Sequence, residues 1–175
     1  MEPTRKKILS DSHQFIRNMK IIDNFLDKTV FNHIQKIMMG DNFPWYYNKF
    51  ISSSKDEKHL FFFTHNFFKD KTQSNFFNLW EPFLQKLDCK ALIRIKGGLY
   101  PSQPKVRHNN FHTDFPFKHK GCIFYINNNN GPTEIEKKTI LPKENRAILF
   151  DPSISHRSSC CSDQQVRITV TFNYF

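Results

Sequence analysis

From residue 91 to the end, the chain is written in short segments rich in β-branched and aromatic residues: "ALIRI", "KVRHNNFHTD", "GCIFYI", "TEIE", "RAILF" and "VRITVTFNYF". Gly, Pro and Asn cut these segments apart. Such residues suit a pleated, half-buried surface, and the punctuation suits turns, so the second half reads as a run of strands. Helical patterns fall earlier. Helices first and strands after predict an α+β chain whose strands form an antiparallel sandwich or barrel. The asparagine run in "YINNNNGPTEI" is expected to make a turn, since Asn and Gly tolerate positive φ.

The first half supplies the helices. "LDKTVFNHIQKIMMG" places Phe31, Ile34, Ile37 and Met38 at helical spacing, with Asp27 at a plausible N-cap and Gly40 at the end. "QSNFFNLWEPFLQKL" sets Phe76, Leu79, Trp80, Phe83 and Leu84 on one face, and Pro82 is expected to bend this helix or shift its start. "FPWYYNKFI" reads as extended, with Trp45, Tyr46 and Tyr47 as core packing or a substrate wall. "SSSKDEK" reads as a connection before "HLFFFTHNFF". His59 and His65, in this aromatic region, are expected to be packed or surface residues. Residues 1–20 read as a basic arm or a first strand and are assigned no role.

A chain of 175 residues suits one domain. We expect residues 1–175 to form a single unit, with 1–90 as helical and aromatic support and 91–175 as the core. The apolar fraction is only 38%, but 20 phenylalanines each bury a large area, which offsets it. Cys89, Cys122, Cys160 and Cys161 show no CxxC spacing, which argues against a zinc ribbon or a secreted disulfide framework. They read as reduced thiols, and the adjacent pair is too strained a spacing for a disulfide. No signal-peptide core is evident, and no uncharged run approaches the roughly 18 residues of a membrane helix. The expectation is a soluble, cytoplasmic protein without membrane contact.

Chemistry gathers around "FHTDF", residues 111–115. In a strand, His112 and Asp114 at i and i+2 point to one face, with Thr113 turned away. Two histidines and a carboxylate make the facial triad of non-haem Fe(II) oxygenases, which leaves metal positions open for co-substrate and oxygen. The third candidate is His156 in "FDPSISHRSS", followed after ten residues by Arg167 at the head of "RITVTFNYF". Asp151 reads as closing the strand-to-loop turn. His108 reads as a surface or substrate-facing residue, and His119, in basic "KHK", as solvated.

In this order the motifs resemble those of the Fe(II)- and 2-oxoglutarate-dependent dioxygenases. They are HxD at 112–114, "CIFYIN" at 122–127, "NGPTEI" at 130–135, "SHR" at 155–157 and "VRITVTFNY" at 166–174. The YxN strand and the closing aromatic strand are similar to those of prolyl-4-hydroxylase-like members. The whole resembles the short members encoded in phage and marine microbial genomes, which would place the chain in a host cytoplasm. The resemblance implies a double-stranded β-helix of jelly-roll or cupin-like form. It implies His112, Asp114 and His156 as ligands of Fe(II), and Arg167 as the bidentate partner of the distal 2-oxoglutarate carboxylate. It also implies Tyr125 and Thr169 as further 2-oxoglutarate contacts, with O2 consumed and ascorbate as an accessory reductant. The implied reaction hydroxylates a C–H bond of a protein, peptide or amino-acid-like substrate while 2-oxoglutarate is decarboxylated to succinate.

Other readings stay open on the residues alone. Lys plus Arg number 26 against 16 Asp plus Glu, a formal charge of +10, which favours acidic partners including nucleic acid. An AlkB-like nucleic-acid demethylase, a cupin-like metal- or ligand-binding module and a plain basic nucleic-acid binder are the alternatives. The basic residues are scattered, and no nucleic-acid-binding motif is present.

Overall fold

The structure is a computed structural model that describes residues 19–49 and 61–175. Most of the N-terminal arm, the "SSSKDEK" connection and His59 lie outside the described residues. The fold is sheet-rich with few helices. Strands β1 (Lys20–Ile22), β2 (Tyr46–Asn48), β3 (Phe62–Lys69), β5 (Leu92–Pro101), β6 (Lys120–Tyr125), β9 (Ala147–Phe150) and β11 (Val166–Tyr174) form one sheet in the order β1-β9-β6-β11-β5-β3-β2. The two-residue β4 (Thr72–Gln73) pairs with β3. A smaller sheet runs β10-β7-β8, from His156–Arg157, Thr133–Ile135 and Lys138–Ile140. All named pairings are antiparallel.

Strands therefore begin well before residue 91: β1 pairs with β9, and β3 with β5. Their partners are distant in sequence, which no local pattern announces. In the other direction, "KVRHNNFHTD" does not form the expected strand and holds only single bridges at His108 and His112.

Helix α1 (Lys28–Met38) buries Phe31, Ile34 and Met38, as its spacing predicts, while Ile37 is half-buried. Asp27 takes the N-cap position without a side-chain capping bond. The second helical segment opens as a 3₁₀ turn (Phe77–Trp80) and becomes α-helical only at α2 (Glu81–Lys86). Pro82 explains the shift, because it lacks an N–H and is tolerated only in a first turn.

These helices cover one face of the large sheet with phenylalanine. The Phe83 ring stacks on Phe172 at 4.1 Å and 7°, packs against Phe124 at 4.8 Å and Phe25 at 4.6 Å, and Trp80 meets Phe172 edge-on at 5.2 Å. Offset and edge-on pairs of this kind add roughly 0.5–1.5 kcal/mol each beyond area burial. Trp45 belongs to this wall, donating from Nε1 to Met38 O at 3.2 Å, whereas Tyr46 and Tyr47 are exposed. His65 is buried between Pro44 O and Ser74 Oγ.

Side-chain alternation divides the central strands between two interiors. Cys122 and Phe124 of β6, and Ile168, Val170 and Phe172 of β11, join the helix-covered core. Ile123 and Tyr125 join a second cluster with Ile135, Ile140, Ile148 and Phe150, between the large sheet and the small one. On this inner side β11 presents Arg167, Thr169 and Asn173, all buried.

The asparagine run works by hydrogen bonding and not by positive φ, which none of its residues or Gly131 adopts. Asn127 Oδ1 accepts from Ile168 N at 2.9 Å and its Nδ2 donates to Val166 O at 2.8 Å, so the side chain continues the β6–β11 ladder past its last backbone pair. Asn129 Oδ1 accepts from Gly131 N, and Asn130 binds Ser162 and Asp163. Among the described residues no helix is long and apolar enough to cross a membrane.

Phe83→Ala is expected to cost about 3–5 kcal/mol of unfolding free energy, as for other buried Phe truncations. Exposed Tyr47→Ala should change it by less than about 0.5 kcal/mol. Chemical denaturation of both variants checks the difference.

Candidate metal centre

His112 and His156 are joined by backbone before their side chains meet. Each donates its N–H to the other's carbonyl at 2.9 Å, an antiparallel bridge that places the HxD segment on the free edge of β10. β10 is held in turn by β7, with His156 opposite Ile135. Asp114 is fixed from the other direction, its N–H donating to Pro152 O at 3.0 Å.

One ligand atom from each of His112, Asp114 and His156 lies within 4.8 Å of the others, and the imidazole centroids are 4.5 Å apart. His156 is buried and His112 is open on one side. His156 Nδ1 lies 2.8 Å from Ile154 O and His112 Nδ1 lies 3.3 Å from Asn110 O. A carbonyl can only accept, so each Nδ1 carries a hydrogen and Nε2 is the atom that each imidazole can offer a metal. Burial, and then the nearby His112, hold the His156 pKa below its ordinary value against the pull of Asp114. A neutral imidazole is the form that can bind a metal.

The expectation that strand parity aims His112 and Asp114 is not met. This segment is irregular and the loop path with its bridge does the aiming, although Thr113 is exposed, as expected of a residue turned away. Asp114 is held by two residues that sequence reading passed over. Arg94 Nη2 donates to Oδ1 at 2.9 Å and Asn173 Nδ2 donates to Oδ2 at 2.8 Å, leaving each oxygen a second lone pair. Burial works to raise the Asp114 pKa, but the Arg94 charge and the Asn173 hydrogen bond hold it below the usual carboxylate value.

The network also corrects His119, which is buried and not solvated. Arg94 Nε donates to Asn173 Oδ1 at 3.1 Å, which turns Asn173 Nδ2 toward Asp114 and toward His119 Nε2 at 3.0 Å. His119 Nε2 therefore accepts, and its Nδ1 donates to Phe117 O at 2.8 Å.

Arg167 lies farther along β11, 1% exposed. Its Nε donates to Gly131 O at 2.9 Å and its Nη2 to Thr133 Oγ1 at 2.8 Å, while Nη1 is buried with no partner. The Tyr125 hydroxyl donates to the same Thr133 oxygen at 2.7 Å, and the guanidinium lies 5.2 Å from the Tyr100 ring centroid and 5.7 Å from that of Tyr125. Thr169, buried two residues on, sits opposite Tyr125. Gly131 is required here, because a Cβ would collide with the Cys160 carbonyl and come within 2.9 Å of Arg167 Cδ.

The remaining candidates take structural places. Asp151 Oδ1 closes its turn by accepting from Ser153 N at 3.0 Å and Ser153 Oγ at 2.6 Å. His108 pairs with Glu134 at 3.3 Å, and Cys160 and Cys161 are free, buried thiols. Alternation on β5 and β11 would have put Arg94 and Asn173 on the face of Arg167, but their meeting with Asp114 depends on long-range register.

No protein-family model and no curated protein matches the chain. Its structure is similar to that of an oxidoreductase of the 2OG-Fe(II) oxygenase family from Burkholderia pseudomallei, with TM-score 0.65 and 11% identity over 95% of this chain and 90% of that one. It is also similar to a Pseudomonas putida prolyl-4-hydroxylase, with TM-score 0.60 and 10% identity over 98% and 99%. A third is the viral collagen prolyl hydroxylase of Paramecium Bursaria Chlorella virus-1, with TM-score 0.53 and 12% identity over 89% and 88%. The fold is therefore one found among 2OG-Fe(II) oxygenases and prolyl hydroxylases.

Arg94→Met should weaken metal binding by roughly 10- to 100-fold, as loss of a partner that orients a ligand does elsewhere. Titration of the metal-free protein with Mn(II) measures it, and affinity within twofold of the parent would remove Arg94 from this role.

Proposed function

We propose that the chain is an Fe(II)- and 2-oxoglutarate-dependent dioxygenase, with residues 1–175 as one oxygenase domain and the two sheets as its double-stranded β-helix. The observation that carries this reading is the buried, unpartnered Nη1 of Arg167 on the same inner sheet face as the residues that hold the His112, Asp114 and His156 cluster. A metal-binding module without a co-substrate has no use for such a guanidinium. A buried unpaired donor is costly, and a carboxylate on Nη1 would relieve that cost.

The donor set fits Fe(II): two neutral imidazoles and one ionised carboxylate that leave metal positions open. His112, Asp114 and His156 would hold the ion. Arg167 would grip the distal carboxylate of 2-oxoglutarate, with Tyr125 and Thr169 lining the path from it. When bound, iron and 2-oxoglutarate supply the activation of O2 that hydroxylates a C–H bond, with succinate as co-product. The chain binds and orients. Arg94 and Asn173 keep Asp114 ionised and aimed, Ile154 O fixes the His156 tautomer, and Ile123, Ile148 and Phe150 keep water from the space between the sheets.

The prolyl hydroxylases among the similar structures and the YxN strand support a peptidyl or amino-acid-like C–H bond as the site of reaction. Ascorbate would serve as an accessory reductant, and the cytoplasm of a host cell as the compartment. No separate observation favours an AlkB-like demethylase or a cupin-like binder.

Succinate formation from 2-oxoglutarate is expected to require Fe(II) and to be lost in His112→Ala and in Asp114→Ala. Arg167→Met should raise the 2-oxoglutarate Kd by roughly 10- to 100-fold, the worth of one or two hydrogen bonds to a charged group. Undiminished turnover in both ligand variants would defeat the reading.

A further inference from the structure

Arg94, Lys96, Gly98 and Tyr100 lie on one face of β5, the face toward Asp114 and Arg167. Arg94 is spent on Asp114, Gly98 has no side chain, and Tyr100 packs on the Arg167 guanidinium. Lys96 lies between Arg94, which holds Asp114, and Tyr100, which packs on Arg167, opposite Thr171 of β11 and Asn66 of β3. Its ammonium is 5.9 Å from the Phe62 ring centroid, and Phe62 stacks on Tyr100 at 5.4 Å. Among the described residues it makes no hydrogen bond or ion pair.

The charges around Lys96 do not balance. Glu134, across on β7, is taken by Arg157 at 2.8 Å and by His108 at 3.3 Å. With iron and 2-oxoglutarate in place, the dianion and Asp114 fall short of the metal together with Arg94, Lys96 and Arg167. The inner face of β5 keeps an excess of positive charge among partly buried groups, where charge counts more than at an open surface.

We propose that Lys96 receives an anionic oxygen group of the primary substrate, so that the substrate is an acid, bearing a carboxylate or phosphate beside the C–H bond to be oxidised. This rests on the oxygenase reading. The ammonium supplies a point charge, and the Phe62–Tyr100 wall supplies an apolar side for the rest of the molecule. Burial, then the Arg94 charge, bring the Lys96 pKa down to about 8 against the pull of Asp114, and a bound anion would favour its charged form.

The test uses the full chain loaded with Mn(II) and 2-oxoglutarate, with binding read by calorimetry and folding by thermal melts. The probes are paired: N-acetylproline against N-acetylprolinamide for a carboxylate, and AMP against adenosine for a phosphate. One acid should bind roughly 10- to 100-fold more tightly than its neutral partner, as a hydrogen bond between charged groups allows. That preference should vanish in Lys96→Met and Lys96→Gln and persist in Lys96→Arg. Equal or absent binding of acid and neutral probe in both pairs overturns the proposal, as does a preference that survives both neutral variants. A tenfold loss of 2-oxoglutarate affinity in the folded neutral variants also overturns it, since Lys96 would then be a co-substrate contact. Parent protein that binds neither Mn(II) nor 2-oxoglutarate would sink the oxygenase reading itself, and this proposal with it.

Discussion

β11 is buried on both faces, and the two faces have opposite chemistry. Ile168, Val170 and Phe172 pack against the phenylalanine layer of the helices, while Arg167, Thr169 and Asn173 point into the space between the sheets. An ordinary half-buried strand turns its polar face to water. Here that face is buried, so each polar group on it needs a partner or a ligand. Arg167 finds Gly131 and Thr133, Asn173 finds Arg94, Asp114 and His119, and Arg167 Nη1 is left buried without a partner.

The same requirement organises the ends of the site. At one end the Arg94–Asn173 pair surrounds Asp114 and keeps it ionised despite its burial. At the other, Thr133 Oγ1 accepts from both Tyr125 and Arg167, so the small sheet grips the guanidinium that the large sheet carries. The second ties the two sheets directly, and the first ties the large sheet to the loop that is bridged onto β10. Site geometry and the packing of the sheets are therefore one problem, solved by the same hydrogen bonds.

Much of this was legible in the sequence where residue type and order carry the information. His112, Asp114 and His156 were singled out because a facial triad needs those types, and the structure brings the three together; α1 was legible because Phe31, Ile34 and Met38 keep its period. Features that depend on distant register were not legible. Nothing near Arg94 announces that Asp114 will reach it, and nothing in "KHK" announces that His119 is drawn inward by Asn173. The asparagine run was read as a turn through its φ tolerance, whereas its side chains replace backbone partners of β11. The HxD pair was assigned strand parity in a segment that holds only single bridges.

The backbone tie between His112 and His156 reaches beyond the two residues. His156 is paired with Ile135 on β7, and β7 with β8, so the spacing of the two imidazoles is set by a ladder that runs three strands deep. The bite presented to a metal is thus a property of the small sheet, and drift at the Ile135–Lys138 turn would reach the ligands as a change of angle with no ligand residue altered.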